Sequence, residues 1–449
     1  MSERLFGTDG IRGRAGEGPL RPEFLRRLGK VLGARLACGA TTPRVVIGHD
    51  GRASGPEIVE ALSAGLAAAG CSSDAVGLCT TPSLAFIAAT GDYGAGVMVS
   101  ASHNPAEDNG VKLFGADGAK WADAGEAELE AALQGDSPPD ARAPGTTRST
   151  PQQLDRYVAW LRSAFPELAL QGRRVLVDCA HGGASQLAPR VLQAFGAAPE
   201  LVNHQPDGTN INRDCGALHP EAAAAEARAR NCEIGVSLDG DADRGILFDG
   251  GGRILDGDAL LAGLGAHALA RDEIPQRTVV ATVMSNLALE RWLEERGGVL
   301  LRAQVGDRFV AEAMRSGGYT LGGEKSGHLL FGDDHGWRGD GLYTLLRVLR
   351  AQQRDGQTTA EFARDYSDWP QTLVNLRVLR RVPLEQLPHL QREVSALDHE
   401  LHGSGRTVVR FSGTELKLRL MVEARDQRSV DESIRRLDAA ARADGIVQD

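Results

Sequence analysis

Between Ser237 and Arg244 the chain reads Ser-Leu-Asp-Gly-Asp-Ala-Asp-Arg. Asp239, Asp241 and Asp243 take alternate positions, and in an extended segment alternate side chains point to one side. Three carboxylates so placed repel one another unless a cation sits among them. An all-oxygen donor set without a cysteine–histidine cluster favours Mg2+ over zinc. An EF-hand would place its closing acid at position 250, which is glycine. A solvated acidic turn is the plain alternative. This run, however, directly follows an apolar strand, where open α/β sheets bind ligands.

Four further segments carry polar residues at suggestive spacing. In Ser100-Ala-Ser-His-Asn-Pro105, Ser102 is either a nucleophile or phosphate carrier, or part of an ordinary strand-to-turn junction. The G-x-S-x-G elbow of serine hydrolases is absent, since Ser100 and Asn104 flank it. In Gly322-Gly-Glu-Lys-Ser-Gly-His328, Glu324, Ser326 and His328 suit sugar hydroxyls, and a tight surface loop fits equally well. Arg410-Phe-Ser-Gly-Thr-Glu415, with Arg419 beyond it, brings two guanidiniums, the hydroxyls of Ser412 and Thr414, and Gly413 to one turn. That set suits a tetrahedral anion, and an exposed hairpin turn is the alternative. Near the start, Phe6-Gly-Thr-Asp-Gly-Ile-Arg-Gly13 brackets Asp9 and Arg12 with glycines but is no dinucleotide fingerprint. Lys112, ten residues past Ser102, reads alone as an ordinary surface lysine.

The elements that must position these residues alternate. Apolar runs at Arg44–Gly48, Gly96–Ser100, Arg174–Asp178, Glu233–Leu238 and Thr278–Met284 predict strands. Pro56–Ala69, Ala122–Leu133 and Leu187–Phe195 have helical spacing. This alternation implies α/β units with largely parallel sheets. The strand ends at Val99, Val177 and Val283 look alike and suggest a repeated domain. Asp136–Thr150 reads as a linker, with further breaks near Asp249–Arg253 and Asp365–Pro370. Strands near Thr372–Val378, Thr407–Arg410 and Leu416–Glu423, with a helix over Ser429–Ala441, then predict a smaller α+β domain. The expectation is three similar α/β domains with mixed sheets, 1–150, 151–250 and 251–367, followed by an α+β domain, 368–449.

Composition narrows the classes. The 449 residues carry 50 basic and 60 acidic side chains, a net charge of −10, which argues against a nucleic-acid binder. No apolar run is long enough to span a membrane. An acid and a glycine stand where a signal peptide would have its apolar core, so no export signal and a cytoplasmic location are expected. The six cysteines form no C-x-x-C pair and are expected to be buried thiols.

Taken in order, G-T-D-G-I-R-G, S-A-S-H-N-P, D-G-D-A-D-R, G-E-K-S-G-H and R-F-S-G-T-E resemble the α-D-phosphohexomutase superfamily and, within it, the bacterial phosphoglucosamine mutases. Val305-Gly-Asp-Arg-Phe and Arg338-Gly-Asp-Gly341 add to the resemblance. It implies a heart-shaped arrangement of four domains. It further implies an intramolecular phosphotransferase that interconverts glucosamine 6-phosphate and glucosamine 1-phosphate, through a phosphoserine and a 1,6-bisphosphate, feeding amino-sugar nucleotide and cell-wall precursor synthesis. By the same resemblance Ser102 carries the phosphoryl group, and Asp239, Asp241, Asp243 and the Ser102 phosphate hold Mg2+. Glu324 and Ser326, with His328 beside them, meet sugar hydroxyls. Arg410, Ser412, Gly413, Thr414 and Arg419 hold the distal phosphate. Arg12, Lys112 and Arg244 fall where the family places cations and proton-transfer groups, and His103 and Lys112 are the acid–base candidates. A monomer or homodimer is implied. One departure is visible: the family's phosphate loop continues with proline where this chain has Leu416, which bears on the loop's stiffness. A phosphomannomutase or phosphoglucomutase with the same machinery, and a sugar-phosphate-binding regulator without catalysis, remain as alternatives.

Overall fold

The computed structural model describes residues 5–7, 9–37, 43–332, 335–412 and 416–448. They divide into two compact units, one of residues 1–284 with 301–363, the other of 285–300 with 364–449.

The first unit repeats one strand arrangement three times. In the first sheet Arg44–His49 pairs in parallel with Ser72–Leu78 and Ala95–Val99, and Ala95–Val99 pairs antiparallel with Asp108–Gly115. In the second, Arg174–Asp178 is parallel to Ala198–Val202 and Ile234–Leu238, and Ile234–Leu238 is antiparallel to Gly245–Asp249. In the third, Thr278–Thr282 is parallel to Leu321–Gly323, which is antiparallel to Leu329–Phe331. Ala95–Val99 and Ile234–Leu238 are buried at every residue. Strands covered on both faces lose the apolar–polar alternation and read as continuous apolar runs.

The antiparallel return is what places the chemistry. Its connecting turn is residues 100–107 in the first sheet, 239–244 in the second and 324–328 in the third. Each of these turns carries one of the polar motifs.

The expected repeat is therefore present, but in a different frame. Val99 ends the strand before the return, whereas Val177 and Val283 lie at the central strand, the counterpart of Arg44–His49. The true counterparts of Val99 are Leu238 and Gly323. Small and polar residues follow both kinds of strand, so composition alone could not separate them. The expected linker also ends differently. Thr147–Ser149 is an edge strand, parallel to Ser72–Leu78, and three exposed residues are too short to show a period.

The second unit is the expected α+β piece. Gln371–Arg377, Lys417–Ala424 and Gly405–Phe411 form an antiparallel sheet with Lys417–Ala424 in the centre. Pro388–Glu400 and Gln427–Ala443 supply the helical side of its core, with Leu390, Leu397, Val430 and Leu437 packed on Leu418 and Leu420. The five described cysteines are buried and unpaired, and Cys38 lies outside the described residues. No helix among the described residues is long and apolar enough to cross a membrane.

Helices Pro22–Ala37 and Gly55–Ala68 support the first sheet through a glycine contact. A Cβ on Gly65 would stand 2.0 Å from the Arg26 carbonyl oxygen, and one on Gly29 would stand 2.2 Å from that of Leu62. Gly65→Ala must force the helices apart. Such overpacking costs about 1–3 kcal/mol, more than the roughly 1 kcal/mol of helix propensity that alanine adds. We expect a lower urea midpoint at unchanged slope; an equal or higher midpoint would contradict the packing argument.

Candidate active site

The Asp239–Arg244 turn folds the three aspartates inward. They converge because the chain turns sharply, with Ala242 at φ +58°, rather than because the segment is extended as expected. All three are buried, and one oxygen of each lies within 4.8 Å of the others. Burial, with Asp243 and Asp241 beside it, pushes Asp239 well above the usual carboxylate range. Burial also works against an ionised Asp243, but Lys112 and His328 outweigh it and hold Asp243 well below that range. Asp241 Oδ2 accepts from Lys112 Nζ at 2.7 Å and from the Thr81 hydroxyl, while its buried Oδ1 has no partner. A buried carboxylate oxygen without a partner, in a group of three carboxylates, is a fitting ligand for a hard cation.

Ser102 stands against this triad. It is buried, in a left-handed conformation at φ +53°. Its Oγ donates to Asp239 Oδ2 at 2.6 Å and lies 3.2 Å from His103 Nδ1. Burial, reinforced by Arg244 and Arg12, lowers His103 to about 4, so its imidazole is neutral near pH 7.

Lys112 is no surface lysine. It is 2% exposed, because its strand lies in the sheet interior and points the side chain at the acidic turn. Its Nζ reaches Asp9 at 2.9 Å, Asp241 at 2.7 Å and Asp243 at 3.4 Å. Burial opposes its charge, but these carboxylates raise it well above the ordinary lysine range, so it is a fixed ammonium.

These contacts belong to a closed ring of alternating charge. Asp9 meets Lys112, Lys112 meets Asp243, and Asp243 lies 3.5 Å from His328 Nδ1. His328 Nε2 lies 3.6 Å from Asp307, and Lys120 joins Asp307 back to Asp9. With a carboxylate facing each ring nitrogen, His328 is held up at about 9 although burial alone would depress it. Gly339 makes room for that imidazole, since a Cβ there would stand 2.1 Å from Nε2. A cavity of about 610 Å³ opens against the ring, bordered also by Trp121, Arg308 and Trp337.

Arg12 pairs with Asp9 and donates to Asn104 Oδ1 at 3.2 Å. Arg244 is held above its usual range, because Asp239, Asp243 and Glu324 outweigh its burial. In the 324–328 turn, Glu324 Oε1 accepts from the Gly306 N–H at 3.1 Å, and Ser326 is exposed.

The second unit holds the remaining expected residues. Arg410 and Arg419 stand directly opposite each other on paired strands. Like charges so placed destabilise a sheet, and Arg410 is lowered by burial and by Arg419. Two guanidiniums brought together in this way suit an anion. Ser412 opens the turn, its N–H bonded to the Lys417 carbonyl at 2.8 Å; Gly413 and Thr414 lie outside the described residues.

Thr81, Lys120 and Asp307 were not singled out from the sequence. Each is an isolated polar residue in an unremarkable context, and only the folded contact gives it meaning. Val305-Gly-Asp-Arg-Phe was the one available signal for Asp307.

Comparison with known proteins agrees with this arrangement. Models of the phosphoglucomutase/phosphomannomutase α/β/α domains I, II and III match residues 3–139, 155–252 and 256–368, and that of the C-terminal domain matches 373–440. A phosphoglucosamine mutase from Anaeromyxobacter sp. (strain Fw109-5) is 44% identical, over 96% of this chain and 93% of its own. Among solved structures, a phosphoglucomutase/phosphomannomutase family protein from Burkholderia thailandensis has a TM-score of 0.84 at 26% identity, covering 99% of this chain and 98% of its own. An N-acetylphosphoglucosamine mutase from Aspergillus fumigatus, in complex with GlcNAc-6P and magnesium, has a TM-score of 0.66 at 20% identity, over 98% and 96% of the two chains, and shares the fold. With the four segments matched in order along a chain that carries a buried serine on a buried acidic triad, the protein belongs to the phosphoglucomutase/phosphomannomutase family.

Proposed function

We propose that the protein is an isomerase that interconverts glucosamine 6-phosphate and glucosamine 1-phosphate by way of phosphorylated Ser102. The observation that carries this reading is the Ser102 hydroxyl, 2.6 Å from an acidic triad that has an open carboxylate oxygen. The glucosamine preference follows the name of the 44% identical relative.

In this reading phospho-Ser102 gives its phosphoryl group to the free O1 of glucosamine 6-phosphate. The P–Oγ bond breaks as the P–O1 bond forms, and glucosamine 1,6-bisphosphate results. The bisphosphate turns over, its 6-phosphoryl group returns to Ser102, and glucosamine 1-phosphate leaves. Phosphoryl transfer needs positioning and neutralisation of charge more than covalent help. Asp239, Asp241 and Asp243 are the proposed ligands of Mg2+, with an oxygen on Ser102 as a further one; when bound, the ion neutralises charge on the transferring group. Lys112 is a fixed ammonium at the same place. Each transfer moves one proton from the attacking hydroxyl to the oxygen that the phosphoryl group leaves; neutral His103, 3.2 Å from Ser102 Oγ, is the proposed relay, taking the sugar hydroxyl proton and passing one to Oγ in the forward step, and reversing this when the phosphoryl group returns. Glu324 and Ser326 are assigned to the sugar hydroxyls. Arg410, Ser412, Gly413, Thr414 and Arg419 are assigned to the phosphate that is not reacting. The domains are proposed to be 1–150, 151–250, 251–367 and 368–449, and the setting cytoplasmic.

Phosphorus NMR with Mg2+, a trace of hexose bisphosphate and glucosamine 6-phosphate tests the substrate. We expect a 1-phosphate signal growing at an ordinary enzymatic rate, on the order of 10 per second. Rapid conversion of mannose or glucose phosphate alone would keep the mechanism and overturn the glucosamine assignment.

Ser102→Ala should abolish steady turnover and uptake of labelled phosphate. Near wild-type activity, in protein free of host mutase, would refute the phosphoserine. Chelation should likewise stop turnover, with Mg2+ restoring it. Asp241→Asn should lower kcat by about a hundredfold or more, the scale typical of lost electrostatic stabilisation. Unchanged turnover after exhaustive chelation would remove the ion from the scheme.

A further inference from the structure

Arg52 lies in the turn between Arg44–His49 and Gly55–Ala68, outside every motif noted in the sequence. Its side chain is fully buried. A guanidinium has five N–H donors in a rigid planar fork, and here all five are used. Nε donates to Asp50 Oδ2 at 3.0 Å. Nη1 donates to the Asp108 carbonyl at 3.0 Å and to that of Pro105. Nη2 donates to the carbonyls of Ser102 and Asn104, both at 2.9 Å. Three of the five bonds therefore fall on the backbone of the turn that carries Ser102, and a fourth on Asp108, the first residue of the strand that follows it.

A second donor reaches the same two oxygens. Asn212, from the chain segment of the second sheet, places Nδ2 at 2.9 Å from the Ser102 carbonyl and 3.1 Å from that of Asn104. Each carbonyl thus accepts from both an arginine and an asparagine, which fills its two lone pairs. Asp50 completes the arrangement: its Oδ2 accepts from Ser100 Oγ at 2.7 Å, and that oxygen accepts from the Ser102 N–H at 2.8 Å. The acidic turn rests on the same carbonyl, since a Cβ on Gly240 would stand 2.5 Å from the Ser102 oxygen.

A turn needs no buried cation merely to turn. Burying a guanidinium is costly unless every donor is satisfied, and here the donors are aimed at one short segment. That segment has a demanding task. Ser102 is held at positive φ, which persists only where the surroundings over-determine it. Its side chain must alternate between hydroxyl and phosphate ester beside three carboxylates. The ester adds negative charge, and a yielding loop would recoil from the triad and lose the line of attack.

We propose that Arg52 and Asn212 are positioning residues that lock the carbonyls of Ser102 and Asn104, and so keep Ser102 Oγ in place during phosphoryl transfer. The proposal rests on the phosphoserine reading above. It assigns the pair to the transfer step and not to the binding of free sugar phosphate.

The test compares wild type with Arg52→Lys, which keeps the charge but not the fork, and Asn212→Ala at a half-buried site. Three quantities are read: the rate of Ser102 labelling from radiolabelled glucose 1,6-bisphosphate, kcat and KM separately, and amide exchange over residues 100–105. A displacement near 1 Å costs about a hundredfold, so we expect labelling and kcat to fall about that much in Arg52→Lys and about tenfold in Asn212→Ala. KM should stay within about threefold, since uniform binding is untouched. Exchange over 100–105 should quicken in both while the remaining amides keep their protection. Should Arg52→Lys fail to fold, Asn212→Ala decides alone. Wild-type labelling and exchange in Asn212→Ala would overturn the proposal. So would a loss of activity matched by loss of folded protein, or a rise in KM at constant kcat. If wild type itself takes no label, the phosphoserine reading fails, and exchange over 100–105 still reports whether the clamp holds the loop.

Discussion

Three carboxylates within 4.8 Å of one another, all of them buried, set the terms for the first unit. Their repulsion has to be met locally, because burial removes the screening that water would supply. Lys112 meets part of it, and its third ammonium contact goes to Asp9. Asp9 is in turn held by Arg12 and Lys120, Lys120 by Asp307, and Asp307 faces His328, which returns to Asp243. Closing the chain into a ring gives each of its six members opposite neighbours on both sides. An open chain would leave one charge at each end paired only once, at a cost of several kcal/mol for a buried ion. The ring also biases protonation: the carboxylates facing His328, Lys112 and Lys120 raise all three and favour their charged forms.

The ring can close because three sheets deliver their turns alike. In each, a strand parallel to the central one returns antiparallel, and the connection is only a few residues long. One such turn presents the serine, the next the aspartates, the third the glutamate, serine and histidine. The return strands matter as much as the turns. Lys112 comes from the strand after the serine turn, and Gly245 opens the strand after the acidic turn, its N–H bonded to the Gly327 carbonyl at 3.0 Å. Repetition of one simple hairpin thus brings three different chemistries together without any long functional loop.

What could be read from the sequence follows from what local pattern can encode. Three acids at alternate positions have few structural explanations, so Asp239, Asp241 and Asp243 stood out alone. The strands stood out because doubly covered strands are unbroken apolar runs, and most expected boundaries fall within one or two residues of those observed. Lys112 did not stand out, since a buried lysine has the same letter as an exposed one; only resemblance drew attention to it. Arg52, Asn212, Thr81 and Lys120 carried no signal, because the contacts that give them meaning reach residues tens to hundreds of positions away. The repeat was recognised but misframed at Val177 and Val283, where central strands end in small and polar residues much as the return strands do.

The two units concentrate charge of opposite sign in different ways. In the first, the acids are offset by the chain's own cations, leaving one carboxylate oxygen of Asp241 open. In the second, Arg410 and Arg419 are set face to face on neighbouring strands, where a sheet would ordinarily place an opposite charge or none. An anion bound between them would relieve that repulsion. In the first unit, Glu324 and Ser326 share a short turn on which Glu324 is half-buried and Ser326 exposed. The Gly306 N–H holds Glu324 by one oxygen, which fixes the same short turn whose His328 closes the ring.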